Sequence, residues 1–296
     1  MTKVLPIVAG IELGGTKSIA VLARGTEVLD EARVPTGAPG ETLGAMAAAL
    51  SGWEGRFAAV GVGTFGPVAL GGADRGFMLA TPKPGWAGAD VLGPFRSLGV
   101  PVALDTDVAA AALAEGRWGA AQGVDTHAYV TVGTGVGVGL VANGAPVHGF
   151  MHPEFGHLCA RRAPGDTFAG TCPWHGDCIE GLAAGPAIAA RAGGRSASAV
   201  AVDDPVWDFV AADLAEMVAA LLLAATPARV VFGGGVGLGQ AAHLLPRVRA
   251  GLVARLAGYL PLERAGGADS IVVPAALGDQ AGPLGCVVLG LGALGL

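Results

Sequence analysis

The chemistry-bearing residues of this chain concentrate between positions 152 and 180. His157 is followed by Cys172-Pro-Trp-His175-Gly-Asp-Cys178, two thiolates and two imidazoles at a spacing that suits a closed tetrahedral zinc site. With no coordination position left for water, such a zinc would be structural and would pin the loop that carries it. The alternative is an accidental Cys/His cluster, and His152 or Cys159 is a possible replacement for one ligand. Glu154 and Glu180 flank the cluster. Held on a metal-braced frame they would accept hydrogen bonds from substrate hydroxyls, and without it they are two surface glutamates.

Asp105 and Asp107 stand where an apolar run gives way to an Ala-rich helical segment. In an α/β protein that is the rim of a cleft. Asp107 there is either a general base for a substrate hydroxyl or simply the cap of the helix that follows it. Three glycine-rich turns follow strand-like runs: Gly10 to Ser18, Thr131 to Gly139 and Val231 to Val236. The first nearly matches a Walker loop, but Thr16 separates the second glycine from Lys17 and a strand pattern follows where a helix should begin. Such turns suit phosphate, because glycine permits close approach and positive φ, or they are ordinary hairpins. Glu12 adds a carboxylate able to hold Mg²⁺ through water. Gly61-Val-Gly63-Thr-Phe-Gly66 fits a dinucleotide fingerprint, but Pro67 and Gly71-Gly72 leave no helix to receive a pyrophosphate.

These residues need elements to position them. Val- and Ile-rich runs at Val4 to Ile11, Ile19 to Leu22, Ala58 to Val62 and Val100 to Leu104 read as strands, with helices over Glu41 to Leu50 and Val108 to Trp118. A second series repeats the plan, with strands His127 to Val132 and Val136 to Val141, a helix Val206 to Ala225 and a strand Ala228 to Phe232. Each series opens with strand, threonine-bearing glycine turn, strand. That rhyme implies duplicated α/β domains flanking a cleft. The expected division is residues 1–118 for a smaller domain, on which the uncharged tail 278–296 packs back as a helix. Residues 119–277 form a larger one carrying the zinc loop, with Gly116 to Gly123 as the hinge.

The 296 residues include 51 glycines, 52% hydrophobic and only 14% charged residues, so the core must be built from small aliphatic side chains. A net charge of −6 offers no basic face for nucleic acid or anionic lipid. The apolar run ending at Glu12 and the glycine-interrupted tail are both short of the roughly 20 residues that span a bilayer. Cytoplasm is the expected compartment, and the clustered cysteines suit a metal better than disulfides.

Taken in order, the motifs resemble the ROK family of sugar kinases, within the actin-like and hexokinase-like ATPase fold. Gly10 to Lys17 is similar to its first phosphate motif and Asp105 to Glu115 to its catalytic-aspartate segment. Thr131 to Gly139 matches the second phosphate motif, Glu154-Phe-Gly156-His157 the E-x-G-H signature and Val231 to Val236 the adenosine motif. Thr81-Pro-Lys-Pro-Gly85-Trp86 and Cys172-Pro-Trp-His175-Gly-Asp-Cys178-Ile-Glu are similar to segments of the family's bacterial fructokinases. The resemblance implies ATP-dependent phosphorylation of a hexose at its 6-hydroxyl, fructose first, with a glucokinase, mannokinase or promiscuous hexokinase as the alternative. It implies Asp107 as base, with Glu154, His157, Glu180, Gly66 and Pro67 at the sugar and His157 also on zinc. Gly14, Gly15, Thr16, Lys17, Thr134, Gly135 and Gly137 would cradle ATP phosphates. Pro186, Gly233, Gly234, Gly235, Val236 and Gly237 would border the nucleoside, with Mg²⁺ at the phosphates and a homodimer as the assembly. Ala109 departs from the family's second Asn, which exposes sugar selection most. A sugar-responsive repressor of the same family would need a DNA-binding module ahead of Gly10, where there is no room for one.

Overall fold

The computed structural model describes residues 4–296, which divide into two compact units. The first contains the chain up to Trp118, residues 148–152 and residues 280–296; the second contains residues 119–147 and 153–279.

The first unit opens with β1 (Val8–Leu13), β2 (Lys17–Arg24) and β3 (Glu27–Pro35), an antiparallel meander, followed by α1 (Pro39–Gly52). β4 (Val60–Thr64) and β5 (Val102–Thr106) then add in parallel beside β1, giving the order β3-β2-β1-β4-β5. β1, β4 and β5 each end about two residues later than their apolar runs, so Leu13, Thr64 and Thr106 fall in register at one carboxyl edge. β3 is an exposed, acidic edge strand whose sequence carries no apolar alternation. α2 (Asp107–Trp118) leaves β5 at once.

The second unit repeats the plan. β6 (His127–Val132), β7 (Val136–Ala142) and β8 (Ala145–Pro146) form a meander, and the chain runs on through α3 (Ile179–Ala183), α4 (Gly185–Arg191) and α5 (Val206–Ala225). β9 (Arg229–Gly233) and β10 (Val272–Pro274) add in parallel beside β6, after α6 (Gly234–Gly239), α7 (Ala241–Leu256) and α8 (Ala268–Ile271) between them. The order β10-β9-β6-β7-β8 is that of the first sheet. α5 buries Trp207, Val210, Leu214, Met217, Val218 and Leu221 in this unit's core.

α9 (Ala281–Ala293) returns to the first unit. It packs Val287 and Leu291 with Val8, Ile19, Val21 and Ala23. The approach is so close that a Cβ on Gly61 would strike the backbone of Cys286 and Gly290, and one on Gly63 the Cys286 sulfur. Two glycines of the apparent dinucleotide fingerprint therefore admit a helix to the sheet rather than a cofactor. Among the described residues no helix is long and apolar enough to cross a membrane.

Candidate active site

In the first unit, parallel pairing brings three candidate segments to one edge. The turn Gly14 to Thr16 follows Leu13, Gly66-Pro67 lies just past Thr64 and Asp107 follows Thr106. In open α/β sheets that edge is where ligands bind. The Gly14 N–H donates to the Lys17 carbonyl at 3.1 Å, and a Cβ on Gly14 would lie 2.6 Å from that oxygen. Neither Gly14 nor Gly15 has positive φ, so close approach alone requires glycine at 14. The Thr36 hydroxyl donates to the Gly14 carbonyl at 2.7 Å and the Thr36 N–H to the Thr16 carbonyl at 2.9 Å. Gly15, Thr16 and Lys17 are exposed. Glu12 is half-buried in β1, with its carboxylate against Gly282 at the start of α9.

Asp107 is the first residue of α2, but it is not the cap. The Thr106 hydroxyl accepts the Ala109 N–H at 3.1 Å, the bond an N-cap makes to the third helical residue. The Asp107 carboxylate takes only local backbone donation, from Val108 N–H at 2.9 Å. Burial raises its carboxyl to about 6, against the lowering effect of the Val108 and Asp107 N–H groups. A carboxyl freed from capping and poised near neutrality suits a general base. Asp105 is buried and accepts from Thr106 N–H at 2.7 Å and lies 3.1 Å from His148 Nε2. Burial raises this carboxyl too, partly offset by His148. It is therefore an anchored group rather than a loop acid. His152, from the same inserted segment, accepts the Val68 N–H at 3.2 Å, one residue beyond the cis Gly66–Pro67 bond, and is not a member of the Cys/His cluster.

In the second unit, His157, Cys172, His175 and Cys178 converge, with one ligand atom from each within 4.8 Å of all the others. His157 Nδ1 is 3.7 Å from the Cys172 sulfur and 3.5 Å from the Cys178 sulfur, and His175 Nδ1 is 3.8 Å from the Cys172 sulfur. Bonds of about 2.3 Å to sulfur and about 2.0 Å to nitrogen at tetrahedral angles require separations of this size, so the donor set fits zinc. The tight turn Cys172 to Gly176, with Gly176 at φ +66, returns the chain for the second pair of ligands. Cys159 is exposed and outside the cluster, as is Asp177, which pairs with Arg162 at 3.2 Å.

The remaining candidates of this unit meet around the β6–β7 turn. Glu180 accepts the Val136 N–H at 3.1 Å, and Gly156 sits so close to Val136 that any Cβ would overlap its carbonyl. Glu154, His157 and Glu180 are thereby gathered at the start of β7, with the Glu154 carbonyl accepting the His157 N–H at 3.0 Å. The Gly185 N–H donates to the Gly133 carbonyl at 2.7 Å, which places Pro186 at the head of α4 beside Thr134, Gly135 and Gly137. Gly234, at φ +79, packs on Thr131 and Val132, and a Cβ on Gly133 would lie 3.8 Å from the Gly235 nitrogen. Gly233 touches the Tyr129 ring too closely for any side chain, and Val236 and Gly237 are buried in α6. The second glycine turn, α4 and α6 are thus adjacent through backbone contacts.

Sequence reasoning missed a buried ion network beside the zinc loop. Arg191 donates to both Asp166 oxygens at 2.9 Å and to Asp213 at 3.0 Å, and Arg162 also pairs with Asp166. The Arg162–Asp166 pair is local, four residues apart, but Arg191 joins Asp166 and Asp213 across 25 and 22 residues, which no local pattern signals.

Two units of one strand order, each opening with a glycine turn, define the actin-like ATPase class, to which sugar kinases with bound nucleotide belong. The chain belongs to the ROK family, whose model matches residues 8–292. It is 42% identical to a fructokinase of Zymomonas mobilis, covering 96% of both chains, and 37% identical to one of Pediococcus pentosaceus, covering 97% of this chain and 99% of the other. A Streptomyces griseus ROK glucokinase in complex with glucose and AMPPNP superposes with a TM-score of 0.76 at 26% identity, over 96% of this chain and 99% of that one.

Proposed function

We propose that this chain is an ATP-dependent fructokinase that transfers the γ-phosphoryl group to the 6-hydroxyl of D-fructose. Near full-length likeness to named fructokinases carries the reading. Asp107 is the base in this reading. It takes the proton of the 6-hydroxyl as the oxygen attacks phosphorus in line, the bond to the bridging oxygen breaks and ADP leaves with the electron pair.

Glu154, His157 and Glu180, with Gly66 and Pro67, orient the sugar. Glu180 does two tasks, one oxygen holding the second glycine turn and the other facing a hydroxyl. Gly14, Gly15, Thr16 and Lys17 with Thr134, Gly135 and Gly137 receive the phosphates. Pro186 and Gly233 to Gly237 border the nucleoside. Glu12 would help to hold, through water, the Mg²⁺ that accompanies ATP, and that ion would supply charge neutralisation at the phosphates. His157, Cys172, His175 and Cys178 would hold a zinc ion whose contribution would be to fix the sugar-side loop. The resemblance also supports a cytoplasmic homodimer.

A broader hexokinase is the second reading, favoured by Ala109, which supplies no side-chain amide to the sugar. An ADP-release assay with Mg·ATP and equal fructose, glucose, mannose and N-acetylmannosamine separates the two. Strong preference for fructose is expected. Comparable rates on several hexoses support the second reading, and no sugar-dependent turnover refutes both.

A further inference from the structure

Fifteen of the 18 cationic side chains are arginine, and the only lysines among the described residues are Lys17 and Lys83. Both stand at the first glycine turn. Lys17 ends it in sequence, while Lys83 arrives from the Thr81-Pro-Lys-Pro-Gly85-Trp86 segment and donates from Nζ to the Gly15 carbonyl at 2.7 Å. No carboxylate among the described residues lies within ion-pair distance of Lys83. The Lys83 ammonium makes this bond at an exposed position and, among the described residues, is met by a carbonyl alone, which leaves its charge open to an anion at the turn.

The segment is built to hold it there. Trp86 is fully buried, packs edge-on against Phe65 at 4.9 Å and donates from Nε1 to the Gly37 carbonyl at 2.9 Å. The neighbouring Thr36 fixes the Gly14 and Thr16 carbonyls. Residues 36–37 therefore clamp the glycine turn on one side and the Lys83 support on the other. The Trp86 N–H closes this support on the Lys83 carbonyl at 3.3 Å, with Gly85 at φ +79 making the turn. The sheet register brings the glycine turn that Lys83 meets and the residue after Thr106, Asp107, to the same carboxyl edge.

We propose that Lys83 is a catalytic residue of phosphoryl transfer, its ammonium moving from the Gly15 carbonyl to an oxygen of the terminal phosphoryl group. This rests on the kinase reading above. Lys83 neither gains nor loses a proton in the step: the hydroxyl proton goes to Asp107, and the ammonium neutralises charge on the equatorial oxygens as the phosphorus–oxygen bonds exchange. A compact ammonium suits a single oxygen where arginine's planar fork does not, which accounts for lysine surviving here in an arginine-rich chain.

The test uses the full-length protein and its Lys83→Met and Lys83→Arg variants. Calorimetric binding of Mg·ADP and of a non-hydrolysable Mg·ATP analogue is compared with turnover on the best sugar. Lys83→Met is expected to bind ADP within about threefold of the parent and to lose the analogue by about tenfold or more. Its kcat should fall on the order of 10²- to 10³-fold, with Lys83→Arg between. Equal weakening of ADP and analogue would make Lys83 a brace of the turn, and turnover within about threefold would remove it from the transition state; either overturns the proposal. If the parent phosphorylates no sugar, the kinase reading fails, yet selective loss of the analogue still assigns Lys83 to the terminal phosphate and equal binding still refutes it.

Discussion

The two units share a strand order and a glycine turn after their first strand, yet they hold that turn and their cores by different means. In the first unit the turn is braced at its carbonyls, by the Thr36 hydroxyl and the Lys83 ammonium. In the second it is braced at an N–H by the Glu180 carboxylate, with the Gly185 N–H on the Gly133 carbonyl. The first core gains its rigidity from backbone-close packing of α9 on Gly61 and Gly63; the second has a Cys/His cluster and buried ion pairs beside its core. One topology can therefore be specialised in opposite electrostatic directions. On the proposed reading both turns meet phosphate, the first through the nearby Lys17 and Lys83 charges and the second through its backbone N–H groups.

The largest expected effect falls on the first unit's carboxyl edge. Asp107→Asn should lower kcat on the order of 10²- to 10⁴-fold while leaving the melting temperature unchanged, because Thr106 rather than Asp107 caps α2. A near-parental rate would remove Asp107 as base. With its carboxyl at about 6, the active form is the ionised one, so kcat/KM should fall as pH drops through about 6. A pH profile flat from 5 to 8 would contradict that assignment.

On the second unit, the proposed zinc site predicts that a chelator costs more stability than any single substitution, since it would release the four converging ligands at once. Unchanged thermal unfolding after verified metal loss would deny it a structural role. Arg191→Met comes next. It strands the fully buried Asp213 and leaves Asp166 to Arg162 and the Phe168 N–H, and should cost about 3–5 kcal/mol in urea unfolding. A cost below about 1 kcal/mol would show that the network is incidental.

Gly61→Ala tests the contrasting device in the first unit. A methyl there overlaps the Cys286 carbonyl, and α9 must shift as a whole; the expected cost is about 1–3 kcal/mol with ligand binding by the second unit's turn preserved. A neutral result would mean that α9 is loosely seated.

What was legible in the sequence follows the range of the interaction. His157 and the Cys172 to Cys178 segment could be read because short spacing already fixes a chelate, and α5 because its apolar pattern runs unbroken from Val206 to Ala225. Family membership and α/β architecture were legible for the same reason, the motifs being local. β3 was not, since an exposed strand needs no apolar alternation, nor was α7, which carries Pro246 within the helix. The identity of the cap was also hidden. Thr106 and Asp107 are both good caps, and only the end of β5 decides between them. Gly61 and Gly63 show the converse, a pattern produced by packing against a helix more than 200 residues away.

The smallest effect concerns pH and separates the second unit's buried charges from one another. Burial raises Asp213 to about 7, partly offset by Arg191 and reinforced by Asp166, and its Oδ1 has no hydrogen-bond partner among the described residues. Asp166 moves the other way: desolvation opposes ionisation, but the hydrogen bonds from Arg191, Arg162 and Phe168 outweigh it and hold the carboxyl well below the usual range. The folded state thus binds more protons than the unfolded chain between about pH 4 and 7, so Asp213 makes stability fall as pH rises through that window. Asp166 contributes stability above the unfolded carboxylate pKa that is lost as pH falls below it. Asp213→Asn should flatten the decline from pH 4 to 7 and leave the acid limb in place. Asp107, raised in the same sense, keeps part of the decline, so complete flattening would assign the whole effect to Asp213, and an unchanged slope would show that Arg191 keeps it ionised throughout.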